Sequence, residues 1–431
     1  MGHKYNSERE YRLLQQRLDR NITGAPDSPV FMQILKLLFS PQEVELANHL
    51  PGSPTPVDVI SEKLSIPQEE LCDKLSEMAQ RGVVIDLELN GKQYYSLPPV
   101  VIGFFEFTFM RARDNVPMTE LAKLFDRYMK ENDRFARSVF QGETQLGRSL
   151  VHEEAITKEN YTEFLDWERS SHIIKTASSI SVSLCACRHK AQHLGHACDK
   201  PQEVCLAFGY SADMLARTGM GRIIKTDEAM GILQLCKEEG LAQTGDNVQN
   251  GVSYMCNCCG CCCGMIDAIK TFDIRNAIVT SNWIMEVNPE KCTGCWQCVQ
   301  ACPVDAIELV DGKISNRKQK LAQVEKTLCL GCGVCYSVCK KGGITMSSRP
   351  QRVYTPETVF DRVITMAIER GKLANLLVKN PDKMSHRALG RIFHVIEKSP
   401  PYKAAMAIKP LRSKYLNTLV KEAKKRVDLN D

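Results

Sequence analysis

Cys292, Cys295, Cys298 and Cys302 stand at the spacing C-x2-C-x2-C-x3-C, with Pro303 directly after, and Cys329, Cys332, Cys335 and Cys339 repeat that spacing 37 residues later. Thiolates this close together suit the corners of a [4Fe–4S] cube. A cube of this kind carries one electron at a time, and two side by side imply transfer between them. Zinc fits less well, because four-cysteine zinc sites set two C-x2-C pairs across a longer gap rather than three short spacings in a row.

A second concentration of thiols lies upstream. Cys185-Ala186-Cys187-Arg188 is followed by Cys198 and Cys205, and then Cys256, Cys258, Cys259, Cys261, Cys262 and Cys263 crowd into eight residues. Vicinal thiols at this density have no use as separate core residues. The ten are candidate ligands of one or two further iron–sulfur clusters, with some left over as supporting or redox-active thiols. Spacing does not say which four meet which iron. Zinc is a better fit here than downstream, but ten thiols exceed one tetrahedral need. His189, His193 and His196 read as exposed side chains on a polar loop. Arg188 either hydrogen-bonds cluster sulfur or pairs with a carboxylate. Cys72 and Cys236 stand alone in helical patterns and read as small core hydrophobes.

The run Cys292-Thr293-Gly294-Cys295-Trp296-Gln297-Cys298-Val299-Gln300-Ala301-Cys302-Pro303-Val304-Asp305-Ala306-Ile307, within residues 281–349, resembles the bacterial two-cluster ferredoxin. In that family three close cysteines hold one cube and the fourth crosses to the other. The resemblance implies that Cys292, Cys295, Cys298 and Cys339 bind one cluster and that Cys329, Cys332, Cys335 and Cys302 bind the second. Gly294, Gly331 and Gly333 permit the tight turns that aim N–H groups at sulfide. Lys340 replaces the family's usual proline, and a cation there is expected to raise the potential of the cube ligated by Cys339. The middle cysteines look like those of multi-cluster iron–sulfur proteins of anaerobes. The Cys-Cys-Gly units at 258–260 and 262–264 resemble the cysteine-rich domains of heterodisulfide-reductase-type proteins, although those domains space their cysteines far more widely.

The elements that position these thiols read as a multidomain α+β chain. Residues 1–28 form a polar helix and a Gly/Pro linker. Over residues 29–98, Ser40-Pro41-Gln42-Glu43 is a capping box, and Thr55-Pro56-Val57-Asp58 repeats its logic. A helix follows over 68–80, and then two strands flank Asn90-Gly91, a type I′ hairpin signal. Three helices and a hairpin resemble a winged-helix domain. Residues 99–178 read as helical, with amphipathic stretches at Met118–Arg137 and Asn160–Ser178. A cysteine-rich iron–sulfur domain at 179–280 includes a helix capped by Thr226-Asp227-Glu228. In the ferredoxin-like domain at 281–349, Trp283–Val287 is a strand and Asp311-Gly312 a second hairpin signal. Residues 350–431 form a basic helical tail, broken at Pro381 and Pro400-Pro401.

At 431 residues, with 43% hydrophobic and 25% charged content, the composition is that of a soluble globular protein. The 20 cysteines, with no apolar leader before them, point to thiols kept for metal in a reducing compartment. No apolar run reaches membrane-spanning length, and the longest, Val100 to Met110, contains Glu106. A cytoplasmic address follows. From Gln351 to Asp431 there are 17 Lys/Arg against 8 Asp/Glu, or +9 of the net +5, which leaves −4 for the rest. The tail reads as a solvated surface, or as a docking face for an acidic partner. Residues 54–98 carry 4 Lys/Arg against 8 Asp/Glu, so DNA binding is disfavoured and a protein-docking or homodimerising role fits better.

There is no G-x-G-x-x-G after a strand, no P-loop, no H-E-x-x-H and no Ser/His/Asp constellation. Donor and acceptor are therefore expected on other chains. The sequence reads as an iron–sulfur electron-transfer protein, a subunit or partner of a larger anaerobic oxidoreductase. Two alternatives are a redox-sensing winged-helix transcription regulator and a reductase whose active site is the Cys256–Cys263 loop.

Overall fold

The structure, a computed structural model, describes residues 7–314 and 317–377. The rest of the expected basic tail, with its breaks at Pro381 and Pro400-Pro401, lies outside the described residues.

The amino-terminal part is built from α1 (Ser7–Arg20), α2 (Pro29–Leu38), α3 (Pro41–His49), the two-residue β1 (Thr55–Pro56), α4 (Val57–Leu64) and α5 (Gln68–Gln80). Ser40 caps α3: its Oγ accepts from the Glu43 N–H at 3.3 Å, and Glu43 Oε2 accepts from the Ser40 N–H at 2.8 Å. The matching expectation at Thr55 fails. Its hydroxyl donates to the Ser53 carbonyl, its backbone pairs with Tyr95, and α4 begins with no side-chain cap. β2 (Ile85–Leu89) and β3 (Lys92–Ser96) meet across Asn90 and Gly91, both at positive φ (52° and 75°), as a type I′ turn requires. The sheet order is β1-β3-β2. Below it α5 buries Leu71, Leu75 and Met78 and exposes Glu69, Glu70, Asp73 and Glu77.

Residues 99–178 depart from the helical expectation. After α6 (Phe105–Phe109), α7 (Met118–Lys130) and α8 (Arg134–Phe140) comes a strand, β4 (Gly147–Leu150); the stretch at Asn160–Ser178 reduces to 3-10 turns and the short α9 (Ser170–Thr176). β4 is buried along its whole length, so it lacks the apolar–polar alternation that marks a strand in sequence. It forms one end of a six-stranded sheet with β5 (Ile180–Leu184), β6 (Glu203–Phe208), β7 (Arg222–Ile223), β8 (Ala242–Asp246) and β9 (Tyr254–Cys258). The order is β4-β8-β9-β6-β5-β7, and every neighbouring pair is antiparallel. α10 (Ala186–His193), α11 (Tyr210–Arg217) and α12 (Thr226–Glu238) connect the strands, and α13 (Gly264–Phe272) leads out of the sheet after β9. Thr226 is the first residue of α12 rather than its cap.

In the ferredoxin-like part, β10 (Trp283–Val287) and β13 (Ile344–Ser348) pair antiparallel, from Trp283 with Ser348 to Val287 with Ile344. Between them lie α14 (Gln297–Ala301), β11 (Ile307–Ile314), β12 (Arg317–Val324) and α15 (Val334–Val338). Asp311-Gly312 does not turn; the ladder runs through it until Ile314 pairs with Arg317. The chain ends its described course in α16 (Val359–Glu369) and α17 (Leu373–Leu377). Arg352 is exposed, but two of the described basic residues here, Arg362 and Arg370, are buried. Arg362 is buried against Asp246 of β8, and Arg370 donates to the carbonyls of Gln141 and Ile22 at 3.1 Å each. Backbone carbonyls and one carboxylate take up these charges, so α16 ties the amino-terminal helices to the sheet.

Candidate metal centres

The two ferredoxin motifs adopt equivalent backbones. Trp296 and Gly333 occupy the same place in their motifs, and both are left-handed (φ 71° and 81°) just before α14 and α15. Gly331 is required twice over: its φ is 69°, and a Cβ there would stand 2.1 Å from the Trp283 carbonyl oxygen. The fourth cysteines also match. Cys302 Sγ accepts from the Ala306 N–H at 3.2 Å, and Cys339 Sγ from the Gly343 N–H at 3.3 Å. Cys292 Sγ accepts from the Ala322 N–H at 3.5 Å. Donors of this kind favour thiolate and tune a cluster bound there.

Cys329, Cys332 and Cys335 are buried, whereas Cys295 is exposed. Burial pushes the Cys332 thiol up to about 12 and raises the Cys335 thiol too, and the charges of Cys302 and Cys329 add to both shifts. Cys302 thus stands close enough to these three to share their field. On the other side Gly343, whose N–H meets Cys339, packs against Cys292; a Cβ at 343 would lie 3.3 Å from the Cys292 nitrogen. Thiols in so apolar a setting ionise only with a cation to hold them, so the residues fit bound iron. Lys340 is exposed, and solvent screens its charge. Lys340→Pro should therefore lower the potential of the more exposed cluster only slightly; a redox titration that shows no shift removes that role from Lys340.

The ten middle cysteines gather around the carboxyl ends of β5 and β9, with Cys205 on β6 between those strands and Cys198 after α10. Cys187, Cys263, Cys258, Cys256 and, on the neighbouring strand, Cys205 follow one another as electrostatically interacting neighbours. Cys258 and Cys263 are buried, and Cys187, Cys205 and Cys256 are half-buried. The Cys256 thiol holds Cys205 and Cys258 below the ordinary thiol range, while Cys256 and Cys187 are raised by their own thiol partners. Cys198, Cys259, Cys261 and Cys262 form a separate group, with all four Sγ atoms within 4.8 Å of one another. Cys185 flanks this group, and Cys236 is fully buried beside it, as a core cysteine should be. Cys72, by contrast, is only partly buried and lies 3.4 Å from Gln93 Oε1.

Two residues that organise the thiols gave no sequence signal of that role beyond their place among them. Asn257 alternates with Cys256 and Cys258 along β9 and points to the other face. Its amide donates to the Val204 carbonyl at 2.8 Å and accepts from Gln243 at 3.0 Å, which pins β9 between its neighbours. Arg188 is completely buried and donates to the Asn257 carbonyl at 3.0 Å. Burial works against its charge, but Cys185, Cys259 and Cys258 outweigh that and hold its pKa above the ordinary value. Arg188 has no salt bridge to a carboxylate among the described residues, and the charges that hold it are those of neighbouring thiols. The histidine reading needs correction: His189 is buried on α10, with Nδ1 2.8 Å from the Phe109 carbonyl, which only accepts, so Nδ1 carries the proton. α6 packs over α10 and encloses it.

The two thiol regions touch. A Cβ on Gly260, between Cys259 and Cys261, would stand 2.8 Å from the carbonyl oxygen of Pro303, the residue after Cys302. Lys270 of α13 pairs with Asp305 at 2.7 Å across the same junction. On a second side the His152 N–H donates to the Cys332 carbonyl at 2.9 Å. The His152 ring bridges Ser337 Oγ at 3.1 Å and the Leu241 carbonyl at 3.2 Å.

Residues 291–343 match the family model of the 4Fe-4S dicluster domain. An uncharacterized ferredoxin of Methanocaldococcus jannaschii is 26% identical over 132 residues, 23% of this chain and 82% of that protein. Hydrogenase-4 component A of Escherichia coli is 31% identical over 98 residues, 22% of this chain and 44% of that protein. One subunit of the H(2):CoB-CoM heterodisulfide,ferredoxin reductase of Methanothermobacter marburgensis is 27% identical over 77 residues, 16% of this chain and 12% of that protein. The chain thus spans less than half of each of the last two. No solved structure matches. Among the described residues no helix is long and apolar enough to cross a membrane.

Proposed function

Because residues 291–343 are a 4Fe-4S dicluster domain, we propose that the chain relays electrons between a redox partner at its surface and an iron–sulfur centre in its own middle domain. When bound, each cluster supplies a one-electron couple. Cys292, Cys295, Cys298 and Cys339 hold the outer one, where Cys295 reaches solvent and Trp296, 49% exposed, offers a partner an aromatic contact. Cys329, Cys332, Cys335 and Cys302 hold the inner one. Beyond it, Cys187, Cys205, Cys256, Cys258 and Cys263 supply the thiols for a further cluster.

The observation that carries this reading is the contact of Gly260 with Pro303, which sets the cysteine-dense turn against the residue next to a ligand of the inner cluster. Electron tunnelling falls steeply with distance, so a chain built as a relay needs such closeness. Gly260→Val must push the turn away from Pro303. In anaerobic stopped-flow, reduction of the middle-domain centre should then slow several-fold, with iron content and ferredoxin-domain signals unchanged. An unaltered rate in a fully loaded variant overturns the relay.

Residues 29–98 belong in this reading as a winged-helix-like docking module. The support is its four helices and three-stranded sheet, together with the acidic exposed face of α5, which repels phosphate and suits a protein partner. The partner itself is a component of an oxidoreductase, by analogy with the heterodisulfide reductase and hydrogenase components that share the dicluster stretch.

A further inference from the structure

The ten middle cysteines do not form one kind of site. Cys187, Cys205, Cys256, Cys258 and Cys263 are neighbours that influence one another's ionisation. Cys198, Cys259, Cys261 and Cys262 instead close into a compact tetrad, with Sγ separations of 3.7 Å between Cys261 and Cys262 and 3.9 Å between Cys262 and Cys198. Among the described residues, this is the one set of three or more Cys, His, Asp or Glu ligand atoms gathered tightly enough for a single ion. Neither ferredoxin quartet draws in so far.

The spacing separates two kinds of inorganic occupant. Zn–S bonds of about 2.3 Å in a tetrahedron give a sulfur–sulfur edge of about 3.8 Å. A cubane puts an iron between each thiolate and the centre of a four-iron box, so its ligand sulfurs stand much further apart. The observed upper limit of 4.8 Å suits the single ion. We infer that Cys198, Cys259, Cys261 and Cys262 bind one Zn²⁺ as a closed tetrathiolate site. Four thiolates on a divalent ion leave a charge of −2. The buried guanidinium of Arg188 faces Cys259 and offsets part of that charge, and its Nε and Nη2 have no hydrogen-bonding oxygen or nitrogen among the described residues.

The site would act as a clip. Cys198 lies on the turn after α10, and the other three lie on the turn after β9, which carries Gly260 against Pro303. Zinc has no redox chemistry, so the tetrad itself carries no electron, although the turn it clips is the one whose Gly260 contact supports the proposed relay. It leaves Cys185, Cys187, Cys205, Cys256, Cys258 and Cys263 for iron.

The test uses the full chain purified without oxygen. Zinc, iron and sulfide analysis should find about one zinc per chain, and zinc-edge X-ray absorption should show four sulfurs at about 2.3 Å. Cys262→Ser should lose most of the zinc while iron and sulfide hold steady. Growth on cobalt should give the thiolate-to-cobalt absorption of a tetrahedral site in the wild-type chain, a reading that needs no variant to fold. Iron and sulfide lost together from Cys262→Ser, or a single iron in place of zinc, overturns the assignment. Failure of the relay test would leave these readings unchanged.

Discussion

Cys302→Ala is expected to destroy the cluster bound by the other motif. The chain should lose about four irons, and the surviving spectrum should be the one that Cys329→Ala also leaves. Cys292→Ala and Cys339→Ala should form the complementary pair. The expectation does not rest on spacing alone. Cys302 perturbs Cys332 and Cys335, two buried thiols from 30 and 33 residues further along, while Cys295 of its own motif is exposed; Cys298 also reaches Cys335. Gly343, next to the Cys339 sulfur, rests on Cys292. Spin quantitation of the four single variants sorts them into two classes of two. A classification that groups Cys302 with Cys292 means that each motif keeps its own cube, and the interleaved assignment fails.

Much of this arrangement was legible in the sequence because its signals are local. A capping box at Ser40, an Asn-Gly turn at residues 90–91 and a strand at Trp283–Val287 depend on neighbours in the chain, and all three are present. The misses depend on partners far away. β4 has no alternating pattern because both of its faces are covered. Thr55 looks like a cap but is taken by a strand some 40 residues on. Asp311-Gly312 looks like a turn, but cross-strand pairing runs straight through it. His189 looks polar and exposed until α6 covers it.

The thiols divide in the same way. The ferredoxin quartets follow a short spacing that a cube imposes, so type and position could be read together. The tetrad at Cys198 and Cys259–Cys262 draws its members from two turns some 60 residues apart. No periodicity announces that closure. It needs the whole antiparallel path through β6, β8 and β9, and that path is fixed by buried polar groups such as Asn257, whose type alone says little.

Arg362, one of the few basic residues of the tail among those described, sets up the largest stability effect expected here. Asp246 on β8 is completely buried; one carboxylate oxygen accepts from Arg362 of α16 and the other from the Ser253 hydroxyl at 2.6 Å. Burial lowers Arg362 to about 10, still well above neutral pH, so the guanidinium remains charged. Asp246→Ala would leave that cation enclosed without its counterion. Removing one partner of a buried pair costs roughly 3–5 kcal/mol, most of it from the stranded charge. Arg362→Met strands the carboxylate instead and should cost a similar amount. If stranding is the cause, the double variant Asp246→Ala/Arg362→Met must be less damaged than the sum of the singles, because neither charge is then left alone. Urea unfolding followed by near-ultraviolet circular dichroism under anaerobic conditions gives the three values. Strict additivity would mean that the pair adds nothing beyond packing, and that α16 is held to the sheet by Arg370 and the α16 cap at Thr358 rather than by this charge.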